Sequence, residues 1–365
     1  MSYKQEHKNI IDQLISQSSS IASEVCIIVV ANVRQDSSAD TLVYPYDEHR
    51  TEYYSESEYE EITNGFRSNS FYTLYISGEM NFIKWYLEGN YDKIPKKFKL
   101  VYAAASSGKG PGKKALIPSF CTLHNIPYSS SNAYVVSLCR HKYHLSSILK
   151  CHGLPVAQSW YFSHESGWLL NQKPPPNTNI IIKPTYEAAS VGIDEYSRVN
   201  YSQKLDQEFN LLSKKLNQPL TIQEFITGYE IETPVINYNS NPIAFKSIGL
   251  SVDGKKKLDD LFLTYEIVYE DGYQFFEFDE FDPTILNDII ETVKNSALVL
   301  GLEGFSRIDM RVREDGAFHI MDVATYPHAI KHSSFWFMMK SLGYEYADVF
   351  ALLTVLAAKR YNWID

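Results

Sequence analysis

Apolar, β-branched runs alternate along this chain with segments whose apolar positions recur at helical spacing, and that order predicts an α/β protein. Glu24 to Val33, EVCIIVVANV, is nearly continuous in apolar residues, as expected of a strand buried on both faces. An amphipathic segment precedes it. A tyrosine-rich, acidic stretch from Tyr44 to Glu61 leads into a helical pattern near Ile62 to Phe66, the strand FYTLYI, a helix around Met80 to Tyr86 and the strand FKLVYAAA. The alternation implies βαβ units and a parallel sheet. A Gly-rich loop, SSGKGPGKK, then opens a helix from about Lys114 to His124, followed by a turn through Pro127 and the serines.

A helix is predicted from Tyr134 to His152, closing on Gly153 with Pro155 just beyond. The strand VAQSWYF and the Pro- and Asn-rich loop LLNQKPPPNTN lead to a second buried strand, IIIKP, with Lys183 at its end. A helix from Ser202 to Leu216 precedes the strands LTIQEFI and YEIETPVIN, which turn at Thr227 and Gly228. IAFKSIGL and YEIVYEDG predict two further strands of an antiparallel region. The remainder reads as a helix from Pro283 to Leu300, the paired strands FSRIDMRV and AFHIMDV, and a last helix from Tyr346 to Tyr361. The expected domains are 1–130, 131–229 and 230–365, in keeping with what 365 residues accommodate.

Composition narrows the function. With 44% hydrophobic and 21% charged residues the chain is of ordinary globular type. A net charge of −10 and the lack of a basic stripe exclude nucleic acid as the expected partner, leaving small molecules. Four scattered cysteines without a CxxC pair fit neither a zinc site nor a disulfide framework. The charged start, MSYKQEHKNIIDQL, and the lack of an apolar run near the ~18 residues of a membrane helix predict a cytoplasmic protein without membrane association.

Three constellations carry chemistry. Lys142 and Lys183 each supply a compact positive charge suited to phosphate, and the small residues of Glu187-Ala188-Ala189-Ser190-Val191-Gly192 let backbone N–H groups approach phosphate oxygens. Either lysine alone is equally a side chain reaching for water. In QEFITGYE a strand bends at Thr227-Gly228 and returns with Glu230, a hinge able to read an adenine and a ribose, or simply a surface hairpin. FSRIDMRVREDGAFHIMDV is a hairpin on its Asp-Gly turn. Period-two alternation sets Arg307 and Asp309 on one face, with Asp322 able to face them. Two such carboxylates repel unless a cation lies between them, and magnesium accepts hard oxygen ligands together with phosphates. A structural Arg–Asp pair is the plainer alternative.

Taken in order, CRHK, IIIKPTYEAASVGI, TIQEFITGYE, GFSRIDM and MDVATYPHAIKHSS resemble the D-alanine:D-alanine ligase family of the ATP-grasp superfamily, over roughly Gly108 to Leu356. The resemblance implies an ATP-grasp fold behind an N-terminal Rossmann-like domain, and an ATP-dependent carboxylate-amine ligase working through an acyl-phosphate. It implies that Lys142 and Lys183 hold the ATP phosphates under the loop Glu187, Ala188, Ala189 and Ser190. Glu224, Phe225 and Ile226 would form the adenine hinge, and Glu230 would take the ribose. Asp309 and Asp322 would bind one or two magnesium ions, with manganese as a substitute. Arg307 would stabilise the acyl-phosphate and the tetrahedral centre, and Ser333 would bind the carboxylate of the second substrate. Amino acids or a dipeptide are the implied substrates, and a homodimer the implied assembly.

Departures from the family pattern accompany it. Ala324 stands where the family has an asparagine metal ligand, His328 where it has a glycine, and Ala189 where it has a serine. The family's N-terminal substrate glutamate has no recognisable counterpart; Glu56 and Glu58 are candidates, as Tyr265 and Tyr269 are for its covering loop. A catalytically impaired ATP-binding scaffold is therefore the alternative, and a kinase-like enzyme that stops at a phosphorylated product is a third reading.

Overall fold

The structure, a computed structural model, describes residues 3–34 and 51–364, so the part of the acidic stretch from Tyr44 to Arg50 lies outside the described residues. Helices α1 (Tyr3–Ser16) and α2 (Ser18–Ile21) lead into β1 (Val25–Ala31). Then come α3 (Glu56–Ser68), β2 (Tyr72–Ser77), α4 (Glu79–Leu87), β3 (Phe98–Ala104) and α5 (Leu116–Leu123). β1 lies between β2 and β3 in a parallel sheet. Its alternation supplies two cores: Ile27 and Val29 pack with Ile62 and Phe66 of α3, whereas Cys26, Ile28 and Val30 pack with Phe82 of α4 and Ile117 of α5. That double coverage explains the continuous apolar run.

The expected helix from Tyr134 to His152 is two helices, α6 (Ala133–Arg140) and α7 (Lys142–Cys151), parted at His141. His141 leaves helical geometry (φ −90°, ψ 86°) and its side chain accepts from the His144 N–H at 3.3 Å, capping α7. Propensity gives no sign of the break because neither glycine nor proline makes it. The chain continues through β4 (Ser159–Ser163), β5 (Gly167–Trp168), β6 (Asn179–Pro184), β7 (Arg198–Asn200), α8 (Leu205–Leu216) and β8 (Leu220–Glu224). Its strands form an antiparallel sheet in the order β5-β4-β8-β6-β7. Phe209 of α8 closes a separate core over this sheet.

The third sheet, antiparallel throughout, is built from β9 (Tyr229–Tyr238), β10 (Asn241–Ala244), β11 (Ile248–Val252), β12 (Tyr273–Glu277), β13 (Gly304–Val312) and β14 (Phe318–Ala324). Its order is β12-β11-β9-β13-β14, with β10 on β9. The expected single strand IAFKSIGL is split where Phe245 turns its fully buried ring into the core. The expected strand YEIVYEDG is instead α9 (Tyr265–Tyr269), started by Thr264, whose hydroxyl accepts from Ile267 N–H. Tyr265 and Tyr269 stack one helical turn apart, with ring centroids 6.0 Å apart.

Helix α10 (Pro283–Leu300) starts on the Asp282 cap and ends at Gly301 (φ 69°), as its sequence predicts. The last helices are α11 (Ser334–Ser341) and α12 (Tyr346–Arg360). Every residue of α12 from Val349 to Ala358 is buried, because it lies between helices α1 and α3 on one side and β9 and β13 of the third sheet on the other. No single helix among the described residues is long and apolar enough to cross a membrane; α11 and α12 reach that length only together, bent by 108°. We propose domain boundaries at 130/131 and 229/230, with the note that α6 and α7 bury Val135, Cys139, Leu145 and Leu149 against β13 and β14.

Candidate functional site

The second and third sheets, with segments that follow β1 and β3, line one cleft of about 330 Å³. Its floor is a row of carboxylates. Glu232 on β9, Asp309 on β13 and Asp322 on β14 are paired across the strands, Asp309 opposite both of the others. The row depends on a β-bulge. Arg311 pairs with His319 and Met310 with Ile320, but Asp309 then pairs with Asp322, leaving Met321 as the extra residue. In a regular ladder Asp322 would oppose Ile308 and point into the core, so the bulge turns it to the cleft face.

Arg307 lies two residues from Asp309 on the same face and grips it with both ends of the guanidinium, at 2.7 and 2.8 Å. Its remaining nitrogen reaches Glu232 at 3.0 Å. Burial raises the pKa of Asp309; Arg307 opposes the rise and Asp322 adds to it. Glu232 is raised chiefly by burial, against Arg307. Burial also pushes Asp322 upward, but Lys142 and Lys183 outweigh it and hold the carboxyl below its ordinary value. The lysines thus keep Asp322 ionised beside a carboxylate that burial disfavours. No group of three His, Cys, Asp or Glu suited to a metal occurs among the described residues.

Breaking the helix at His141 puts Lys142 on the first turn of α7, where its N–H donates to Thr185 O at 3.3 Å. Its ammonium donates to the Glu187 carbonyl and lies 3.4 Å from Asp322. Lys183 donates to Gln223 at 2.8 Å, and burial pulls its pKa down to about 8. Above both lysines runs the small-residue loop, with Ala189 and Ser190 at φ 48° and 56°. Left-handed backbone at an alanine costs roughly 1 kcal/mol and persists only where neighbours impose it. Here Ser190 Oγ donates to Leu263 O at 2.8 Å and Tyr265 N–H to Ile193 O at 2.8 Å, tying the loop to the segment around α9. Tyr269 lines the cleft, whereas Tyr265 is buried.

Lys142, Lys183, Glu187, Ala188, Ala189, Ser190, Phe225, Glu230, Arg307, Asp309, Asp322 and Ser333 all line this cleft; Glu224 and Ile226 do not. The N–H groups of Glu224 and Phe225 are engaged with Gln158 O (2.8 Å) and Asn179 O (2.9 Å). Glu230 is 3.6 Å from Arg311. Ser333 Oγ donates to Ile330 O at 2.6 Å and accepts from Trp336 N–H at 3.2 Å, so it caps α11. Ala324 pairs with Arg307 on the cleft wall. His328 lies against Tyr54 with centroids 4.4 Å apart and the rings tilted by 34°, and burial drops its pKa to about 3, so its imidazole is neutral. Glu58 lines the cleft but caps α3 by accepting from Ser55 N–H at 2.6 Å, and Glu56 is exposed elsewhere.

Sequence reasoning missed a buried charge cluster at one end of the cleft. Glu52 is ion-paired with Lys113 and with Arg140 (2.5 Å), and accepts from Ala188 N–H at 3.0 Å. Lys113 also reaches Glu187 at 3.1 Å, and Gln218 donates to the other Glu187 oxygen at 3.0 Å. Burial pushes the Glu52 carboxyl up, but Arg140, Lys113 and Lys114 together drive it far below the carboxylate range. Side chains expected to sit in solvent carry this cluster, and neither pattern nor composition distinguishes them.

The family model for the D-ala D-ala ligase C-terminus matches residues 148–354, more than half of the chain. This chain belongs to the D-alanine–D-alanine ligase family. The D-alanine–D-alanine ligase of Flavobacterium johnsoniae is 28% identical over 254 residues, covering 66% of this chain and 71% of that protein. The one from Geobacillus kaustophilus is 31% identical over 186 residues, covering 50% of this chain and 47% of the relative. In three dimensions the chain is similar to the crystal structure of D-alanine–D-alanine ligase from Bacillus anthracis complexed with ATP. The TM-score is 0.68 at 15% identity, over 93% of this chain and 99% of that one. The ATP-grasp fold with its N-terminal Rossmann-like domain is therefore that of the D-alanine–D-alanine ligase family, and the chain is an ATP-dependent ligase of it. Glu52, Lys113, Lys114 and Arg140 all precede the matched span of this family member.

Proposed function

We propose that the cleft joins a carboxylate to an amine at the expense of ATP, by way of an acyl-phosphate. The observation that carries this reading is the convergence of Lys142, Lys183, Arg307 and the cross-strand pair Asp309–Asp322 on one cleft. Lys142 and Lys183 hold the phosphates as point charges, and backbone N–H groups of the loop Glu187 to Ser190 approach from above. Phe225 packs against the base and Glu230 accepts from the ribose; Glu224 can contribute only through its backbone carbonyl, and Ile226 through its backbone.

The oxygen-only donor set of Asp309 and Asp322, one of them raised by the other's charge, fits magnesium or manganese. A divalent ion held there would neutralise charge on the phosphates. Arg307, anchored by Glu232 and Asp309, is oriented to stabilise the negative charge that grows as a carboxylate oxygen attacks the γ-phosphorus and ADP departs. The amine of the second substrate then attacks the acyl carbon. Its proton passes to solvent, the tetrahedral centre collapses, and inorganic phosphate leaves. The protein supplies position and charge throughout, with no nucleophilic side chain. We place this reaction in the cytoplasm, on amino-acid-like substrates.

The reading is tested by measuring ADP release across a panel of amino acids and related acids, with mass spectrometry of the product. The expected result is acceptor-dependent ADP release and a product joined by a new amide. ATP binding without stimulation by any acceptor would favour a nucleotide-binding scaffold, and a phosphorylated product without an amide would favour a kinase-like activity.

A further inference from the structure

Two neighbouring lysines at the end of the Gly-rich loop meet different surroundings. Lys113 is fully buried and ion-paired with Glu52 and Glu187. Lys114 stands in the left-handed region at φ 69°, a backbone strained for a lysine, and lines the cleft. Its nearest counter-charge, Glu52, already accepts from Lys113, Arg140 and the Ala188 N–H. No ion pair or hydrogen bond to the Lys114 ammonium is found among the described residues. Burial lowers its pKa to about 8; Glu52 opposes the fall, and Arg140, Lys113 and Arg307 add to it. A half-buried ammonium without a partner, held at the cleft by strained backbone, is a group awaiting an anion.

The surroundings also say which anion. Lys113, the chain neighbour of Lys114, pairs with Glu52, and the His328 ring lies against Tyr54, two residues from Glu52, which sets Lys114 and His328 at the same end of the cleft that Arg307 also lines. His328 is neutral there, Glu58 is committed to a helix cap, and Glu52 and Glu187 are ion-paired. An acid group at this end would find in Lys114 a cation that no carboxylate pairs, since Glu52 and Glu187 are held by Lys113 and Arg140. We propose that Lys114 binds a second carboxylate on the acid that is activated, making the first substrate a dicarboxylic acid. This rests on the ligase reading, in which Arg307 faces the carboxylate that receives the phosphoryl group.

The test is calorimetric titration of the magnesium-loaded protein, saturated with a non-hydrolysable ATP analogue, using succinate and butyrate as a matched pair, with D-alanine and D-aspartate beside them. Succinate is expected to bind at least tenfold more tightly than butyrate. Lys114→Asn, which tolerates the left-handed backbone, is expected to erase that preference while the affinity for the ATP analogue stays within twofold. Lys114→Arg is expected to retain it. Equal binding of the pair by the unaltered protein, or a preference that survives in Lys114→Asn, overturns the assignment. Loss of ATP-analogue affinity in that variant also overturns it and gives the lysine to the nucleotide. ADP release with the same acids separates the two readings. Dicarboxylates that bind but drive no ADP release with any amine count against the ligase while sparing Lys114; simple amino acids that drive it with dicarboxylates inert do the reverse.

Discussion

Asp322 reaches the cleft because β14 carries one extra residue, Met321, and this detail separates what the sequence reveals from what it hides. Period-two alternation is enough to put Arg307 and Asp309 together, and the structure has them in a two-pronged grip. The same rule applied to β14 gives no register, since a bulge leaves no mark in residue type. Glu232 reads as one more strand glutamate, although it anchors Arg307. Replacing Asp309 with Asn keeps the volume and removes the charge; turnover is expected to fall by roughly 10²–10³-fold. The same variant's Tm, read by calorimetry, should move by no more than about 4 °C, since burial already disfavours the charge. Lys183 makes a second prediction. Phosphate binding needs its protonated form, and its pKa in the free protein is about 8. ATP affinity should therefore weaken by about tenfold between pH 7 and pH 9, from the falling protonated fraction. Isothermal titration across that range checks it, and Lys183→Gln should flatten the dependence.

Among the elements, those with a strong private signal came through intact. The helix α10 has an Asp cap, a proline in its first turn and a closing glycine, and β1 is apolar throughout. Where local and tertiary demands compete, tertiary contacts win. The Tyr134–His152 pattern is continuous in its apolar face, yet the chain breaks at His141 so that Lys142 can both start α7 and enter the cleft. YEIVYEDG fits either period over so few residues, and the Thr264 cap settles it as helix. Close approach of elements is equally hidden in sequence. On α3, a Cβ at Gly65 would fall 2.1 Å from the Phe350 ring of α12. Gly65→Ala should therefore destabilise the protein by roughly 1–3 kcal/mol through overpacking, despite alanine's better helix propensity. Urea denaturation measures it; an unchanged or higher midpoint would show that the two helices can part.

At the scale of the molecule, buried neutral imidazoles tie stability to pH. Burial, with Lys294 adding to it, lowers His7 to about 4, and burial lowers His328 to about 3, so the unfolded chain takes up protons below about pH 6.5 that the folded protein refuses. Their contribution is complete above that pH and is lost as pH falls toward 4. Asp322, held below its ordinary range, acts in the same direction at still lower pH. Glu232, raised by burial to about 7, takes up its proton in the range of the imidazoles and offsets part of this loss. Tm should thus decline from pH 6.5 to 4 in a calorimetric series by less than the imidazoles alone would give; a Tm that rises over that range would contradict the burial of both rings. The hydrogen bonds from Ser190 to Leu263 and from Tyr265 to Ile193 have a reach beyond their size. They yoke the cradle loop to the α9 segment, so that any opening of the cleft roof would carry both pieces together as one flap. Ligands beneath it would then have to be admitted in sequence, and amide exchange on both halves of that flap would slow together when the first of them arrives.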